Sequence, residues 1–149
     1  MKIALASDHA GFKIKQGIIN YLLKQGIEHF DFGCGPDEEV DYVDYGKKAA
    51  GKVTSGEYDR AILVCGTGLG MAIVANKFRG IRATPCYEEF TAEMSRKHND
   101  SNCLTLGGRI LPLDEALQIV SIWLETEFEA GRHERRINKI KQIEENNFK

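Results

Sequence analysis

Residues 59–76 read DRAILVCGTGLGMAIVAN. The first seven, Asp59–Cys65, form a short apolar run without helical period, as expected of a strand covered on both faces. Gly66, Gly68 and Gly70 then alternate, and a helix follows to about Asn76. A buried strand that turns through glycines into a helix is one half of a βαβ unit.

The same alternation extends in both directions. Upstream, KIALAS (2–7) reads as a buried strand, and Ala10–Gln25 as an amphipathic helix with i, i+4 pairs Ile14/Ile18, Ile18/Leu22 and Ile19/Leu23. Gly26 closes that helix. Ile27–Phe32 is the second strand, stopped by the turn cluster Gly33-Cys34-Gly35-Pro36, and a helix spans about Tyr42–Thr54. Downstream come a strand at Ile81–Cys86, a helix at Glu88–His98, a strand at Asn102–Leu106 and a helix at Leu113–Glu125. A last helix runs from near His133 toward Asn146. This pattern predicts a single domain over 1–149, a doubly wound, Rossmann-like three-layer α/β/α sandwich on a five-stranded parallel sheet. Right-handed crossovers then put a topological switch point at the C-terminal ends of strands 1 and 3, where open α/β sheets bind ligands.

Composition narrows the possibilities. The 149 residues carry 20 basic and 22 acidic side chains, a net charge of −2. That balance argues against a nucleic-acid or anionic-membrane partner. No apolar run approaches a membrane span, and the N-terminal apolar stretch is too short for a signal peptide, so a cytoplasmic protein is expected. The four cysteines, at 34, 65, 86 and 103, show neither C-x-x-C nor zinc spacing, so neither a structural metal nor a disulfide is expected. The acidic run Asp37, Glu38, Glu39, Asp41 and Asp44 reads as a solvated surface.

Chemistry-bearing residues gather at the expected switch point. Cys65 ends strand 3 directly before the loop Gly66-Thr67-Gly68-Leu69-Gly70. Clustered backbone N–H groups can hold an oxyanion, and they favour the thiolate of a neighbouring cysteine. A thiolate is a nucleophile or a proton-abstracting base. The loop lacks the G-x-G-x-x-G spacing and the P-loop lysine of nucleotide sites. Asp8-His9 ends strand 1 on the other side of the crevice. Further along lie His98-Asn99, Arg109, and the pair Arg132/Arg136, four apart on one helical face and suited to a phosphate. The set suits cofactor-free proton transfer beside a carbonyl on a small phosphorylated substrate.

SDHAGF near the start, ILVCGTGLGMAIVANKFRGIRA in the middle, SRKHND at 95–100 and GRHERRI at 131–137 resemble ribose-5-phosphate isomerase type B. That family also holds galactose-6-phosphate isomerase subunits and allose-6-phosphate isomerases. The similarity covers nearly the whole chain. It implies a homodimer, sometimes a dimer of dimers, with active sites shared between subunits, and interconversion of ribose 5-phosphate and ribulose 5-phosphate through an enediolate. By the resemblance Cys65 is the base, with Thr67 hydrogen-bonding near it, and the Gly66–Gly70 N–H groups hold the enediolate oxygen. His98 opens the furanose ring, Asp8 holds the ring hydroxyl and Asn99 binds substrate. His9, Arg132 and Arg136 grip the phosphate with Arg109 nearby. His98, Asn99 and Arg109 are implied to come from the partner subunit.

Some members use a glutamate just after the glycine loop in place of the cysteine; Met71 stands there and cannot take a proton, which points to the cysteine-base branch. Val43 stands where the family usually has proline, and Thr84-Pro85 replaces a small apolar pair, so strand 4 is expected to end near Pro85. Two alternatives stay open: an isomerase of a six-carbon aldose 6-phosphate, and a sugar-phosphate-binding module without catalysis.

Overall fold

Five strands, β1 (Lys2–Ser7), β2 (Glu28–Asp31), β3 (Arg60–Cys65), β4 (Ala83–Pro85) and β5 (Cys103–Gly107), pair in parallel in the order β2-β1-β3-β5-β4. This computed structural model describes residues 1–149. Six helices join and follow the strands: α1 (Phe12–Lys24), α2 (Tyr42–Thr54), α3 (Leu69–Ala75), α4 (Glu89–Lys97), α5 (Leu113–Glu125) and α6 (Arg132–Asn147).

Connection direction sorts the helices between the faces. The chain moves one way from β1 to β2 and the other way from β2 to β3, so right-handed crossovers place α1 and α2 on opposite faces. The side chains agree. Ile3, Leu5, Ile62, Val64, Leu104 and Leu106 bury against α1, α4 and α5. Ala4, Ala6, Ala61, Leu63 and Cys65 bury against α2 and α3, whose contact residues include Ala49, Ala50 and Met71. Both faces being dry accounts for the continuous apolar strands.

Several element boundaries differ from the sequence expectation, most by a single residue; strand 5, for example, runs Cys103–Gly107 rather than Asn102–Leu106. The first helix opens at His9–Gly11 as a 3₁₀ turn, because Asp8 Oδ1 accepts from Gly11 N at 3.0 Å and tightens the entry. Here Gly11 is required by space: a Cβ would lie 2.4 Å from the Val64 carbonyl oxygen. Gly11→Ala is expected to cost about 2–3 kcal/mol of stability, read as a lowered denaturation midpoint. The second and third strands are trimmed, to Glu28–Asp31 and Arg60–Cys65. β4 is three residues rather than six. The Asn102 and Asn76 side chains bond Arg82 N and Ala83 N, and Pro85 lacks an N–H, so the ladder has little left to pair. A short, proline-ended strand belongs at an edge, and β5, buried throughout, takes the place between it and β3.

Candidate active site

β1 and β3 are adjacent, with Ser7 opposite Val64, so Asp8-His9 and Cys65 leave the sheet side by side at its C-terminal edge. Asp8 is 7% exposed; Oδ1 is spent on the Gly11 cap and Oδ2 has no partner in the chain. His9 is exposed and its Nδ1 faces Val40 N at 3.2 Å. Accepting that bond leaves the other ring nitrogen, Nε2, as an N–H donor toward solvent. A cavity of about 470 Å³ opens beside it, lined by His9, Lys13, Gly35, Glu38, Glu39 and Gly108 among others.

Cys65 is 4% exposed, and Gly68 N donates to its sulfur at 3.2 Å. The turn needs Gly68, whose φ of +79° would strain any other residue and whose Cβ would meet the Leu106 backbone at 3.0 Å. Thr67, implied to hydrogen-bond near the base, stands two residues after Cys65. Its Oγ1 accepts from Leu69 N at 3.3 Å, capturing an N–H that α3 leaves unpaired two residues on. Gly70 N and Met71 N, in the first turn, have no acceptor in the chain, and neither do Gly66 N and Thr67 N; these are the free donors of the loop. Met71 itself is fully buried in the core.

Arg109, implied to reach in from a partner, lies on the chain's own loop. Its N donates to Gly66 O at 3.0 Å, and a Cβ on Gly66 would sit 3.5 Å from its guanidinium. The reason is local: Gly107 and Gly108 end β5 next to Cys65, and Gly108 N bonds Cys65 O at 2.7 Å.

The other predicted residues collect elsewhere. His98 caps α4 and Asn99 follows it, just before β5 begins at Cys103. Cys103 pairs with Ala61 while Gly107 pairs with Cys65, so the two ends of the site residues are separated by four strand steps, at least ~13 Å. The His98 ring stacks on His133 at 4.1 Å, 10° from parallel, which brings the start of α6 with exposed Arg132 and Arg136 to the same end. One chain therefore carries two separate groups. Asp8, His9, Cys65, Gly66–Gly70 and Arg109 lie at the C-terminal edge of the sheet; His98, Asn99, Arg132 and Arg136 lie near its N-terminal edge.

Glu129 joins His98 and His133, and ligand-type atoms of the three lie within 4.8 Å. The near-parallel stack holds the two rings in separate planes, so their lone pairs do not converge on one ion. Burial, then the neighbouring His98 and Arg132, push the His133 imidazole below its usual range. Its protonation is thus disfavoured in the folded state, the unfolded chain binds the extra proton, and stability falls as pH drops below about 6.5. His133→Phe is expected to flatten the Tm profile between pH 7 and 5 relative to the parent chain.

Three contributors escaped the sequence reading. Tyr87 Oη donates to Thr67 O at 2.7 Å, bringing a phenol from the loop after β4 onto the glycine loop. Tyr42 packs its ring on Gly70, where a Cβ would lie 2.7 Å away. Lys15, fully buried, bonds Asp31 at 2.9 Å and the Cys34 carbonyl at 2.6 Å, fastening the 33–34 corner beside Asp8. Only the fold reveals these, although Tyr87 does follow a strand end, where site loops converge.

A sequence model of the Ribose/Galactose Isomerase family matches residues 3–140. Ribose-5-phosphate isomerase B of Escherichia coli is 45% identical, over 97% of each chain. The structure of Clostridium thermocellum ribose-5-phosphate isomerase B superposes with a TM-score of 0.96 at 52% identity, covering 98% of this chain and 99% of that one. Ribose-5-phosphate isomerase B from Mycoplasma genitalium, solved with bound ribulose 5-phosphate, gives 0.93 at 38% identity, covering 97% and 96%. Matched in sequence from Ile3 to Ile140 and in fold nearly end to end, the chain belongs to the Ribose/Galactose Isomerase family.

Proposed function

We propose that this chain is an aldose–ketose isomerase that interconverts ribose 5-phosphate and ribulose 5-phosphate without a cofactor, in sites built between two copies. One observation carries the composite site. The base candidate Cys65 and the ring-opening candidate His98 sit at opposite ends of the same sheet, and one chain does not unite them. A second copy supplies the missing half. Exposed apolar side chains support such pairing: Leu69 and Ile73 on α3 beside the loop, and Ile140 and Ile143 on α6. An isologous dimer repeats the contact and yields two sites. Four free cysteines are in keeping with a cytoplasmic location.

Chemistry then follows from the residues. The phosphate is gripped by His9 from one subunit and by Arg132 and Arg136 from the other, with Arg109 nearby; it anchors the unreactive end and orients C1 and C2. Asn99 adds a polar contact to the sugar. His98 moves the proton between the C1 hydroxyl and the ring oxygen, so the C1–O bond of the furanose opens to an aldehyde, while Asp8 Oδ2 holds a hydroxyl. The Cys65 thiolate takes the C2 proton; the electron pair forms C1=C2 and the charge passes to O1. The free loop N–H groups hold that oxygen, each well-placed donor contributing roughly 3–4 kcal/mol. The O2 proton then passes to O1, and the thiol returns its proton to C1 as C2=O forms.

Substrate length is tested directly. The purified protein is incubated with ribose 5-phosphate and, separately, with allose 6-phosphate and galactose 6-phosphate, and ketose product is measured. Ribulose 5-phosphate as the preferred product is expected. Preference for a six-carbon sugar would move the assignment within the family, and binding of all three without turnover would leave a non-catalytic module.

A further inference from the structure

We propose that Tyr87 is a positioning residue for Cys65, acting through the peptide that joins Thr67 to Gly68. This rests on the reading of Cys65 as the base. The Tyr87 hydroxyl donates to the Thr67 carbonyl at 2.7 Å, and the N–H of the same peptide group, on Gly68, donates to the Cys65 sulfur at 3.2 Å. That peptide is trans, so its carbonyl and N–H point in opposite directions. Pinning the oxygen on one side therefore aims the N–H at the sulfur on the other. A hydrogen bond to the carbonyl also polarises the amide and strengthens its N–H as a donor. Donors to an anionic sulfur are stronger than donors to a neutral one, so the relay favours the thiolate.

The next peptide is treated the same way. Thr105 Oγ1 donates to the Gly68 carbonyl at 2.8 Å, and the N–H of Leu69 turns to Thr67 Oγ1. Two successive loop carbonyls are thus tied back by hydroxyls, and of the amides beyond them the first donates to the Cys65 sulfur and the second to Thr67 Oγ1. Burial, and then the Cys65 and Cys86 sulfurs, push the Tyr87 phenol above its usual range, which keeps its proton available to donate. Tyr87 stands in the loop between β4 and α4, so the edge strand takes part in the site through this one contact.

Tyr87→Phe keeps the ring and removes the hydroxyl. We expect kcat to fall about threefold to tenfold with KM unchanged, the size of one ordinary hydrogen bond. At fixed pH 7, the rate at which iodoacetamide labels Cys65, followed by mass spectrometry of its peptide, is expected to slow by a similar factor. The sign matters: a loosened loop would expose the sulfur and speed labelling, whereas loss of the relay slows it. Labelling that is unchanged or faster, or a kcat that does not move, overturns the assignment. Normal turnover in Cys65→Ala would instead remove the base reading, and slowed labelling in Tyr87→Phe would remain as a mark of the relay itself.

Discussion

Cys65→Ala is expected to lower turnover by about a thousandfold or more while ribose 5-phosphate still binds. The expectation comes from where the thiol sits. Cys65 ends β3, 4% exposed, with one N–H on its sulfur and the loop donors beside it. On the proposed mechanism, removing it deletes the proton acceptor and leaves the proposed phosphate ligands His9, Arg109, Arg132 and Arg136 in place. Met71, at the position where a substitute carboxylate would stand, is fully buried and carries no proton acceptor. Steady-state kinetics and calorimetric titration separate the two effects; lost binding with retained kcat would mean that the thiol holds substrate rather than reacts with it.

Mixing two inactive variants is expected to restore activity. Cys65→Ala and His98→Asn each destroy one half of every site. After co-refolding at equal amounts, half of the dimers are mixed, and each mixed dimer holds one site with both intact halves, giving about a quarter of the parent activity. The prediction depends on the four strand steps between the Cys65 and Cys103 ends of the sheet. If both halves came from one chain, mixing would restore nothing. The size of the recovery thus tests the shared site independently of substrate identity.

Much of this was legible in the sequence. DRAILVC, apolar at every position after Arg60, can only be a strand with both faces covered, and the helices that cover it follow from the periodicity of their own segments. The direction of the crossovers then brings Asp8-His9 and Cys65 together. The motifs gave both groups of site residues, yet chain order does not say which group sits at which end; that follows from α4 running back to the start of β5. Arg109 depended on the way Gly107-Gly108 bends over Cys65. Tyr87 and Lys15 were invisible because each acts through a backbone carbonyl, which carries no sequence signature. The strand expected over Ile81–Cys86 shrinks to three residues because the side-chain amides of Asn102 and Asn76 take the N–H groups of Arg82 and Ala83, a claim on the backbone that local sequence does not show.

The most direct test of proton transfer by this chain is NMR of ribose 5-phosphate with the purified protein in deuterated water. Ribulose 5-phosphate carrying solvent deuterium at C1 is the predicted product, since the proton removed from C2 passes through an exchangeable thiol before delivery. Ribulose 5-phosphate formed with no deuterium at carbon would contradict exchange of the thiol proton with solvent during turnover, and no conversion at all would contradict the isomerase.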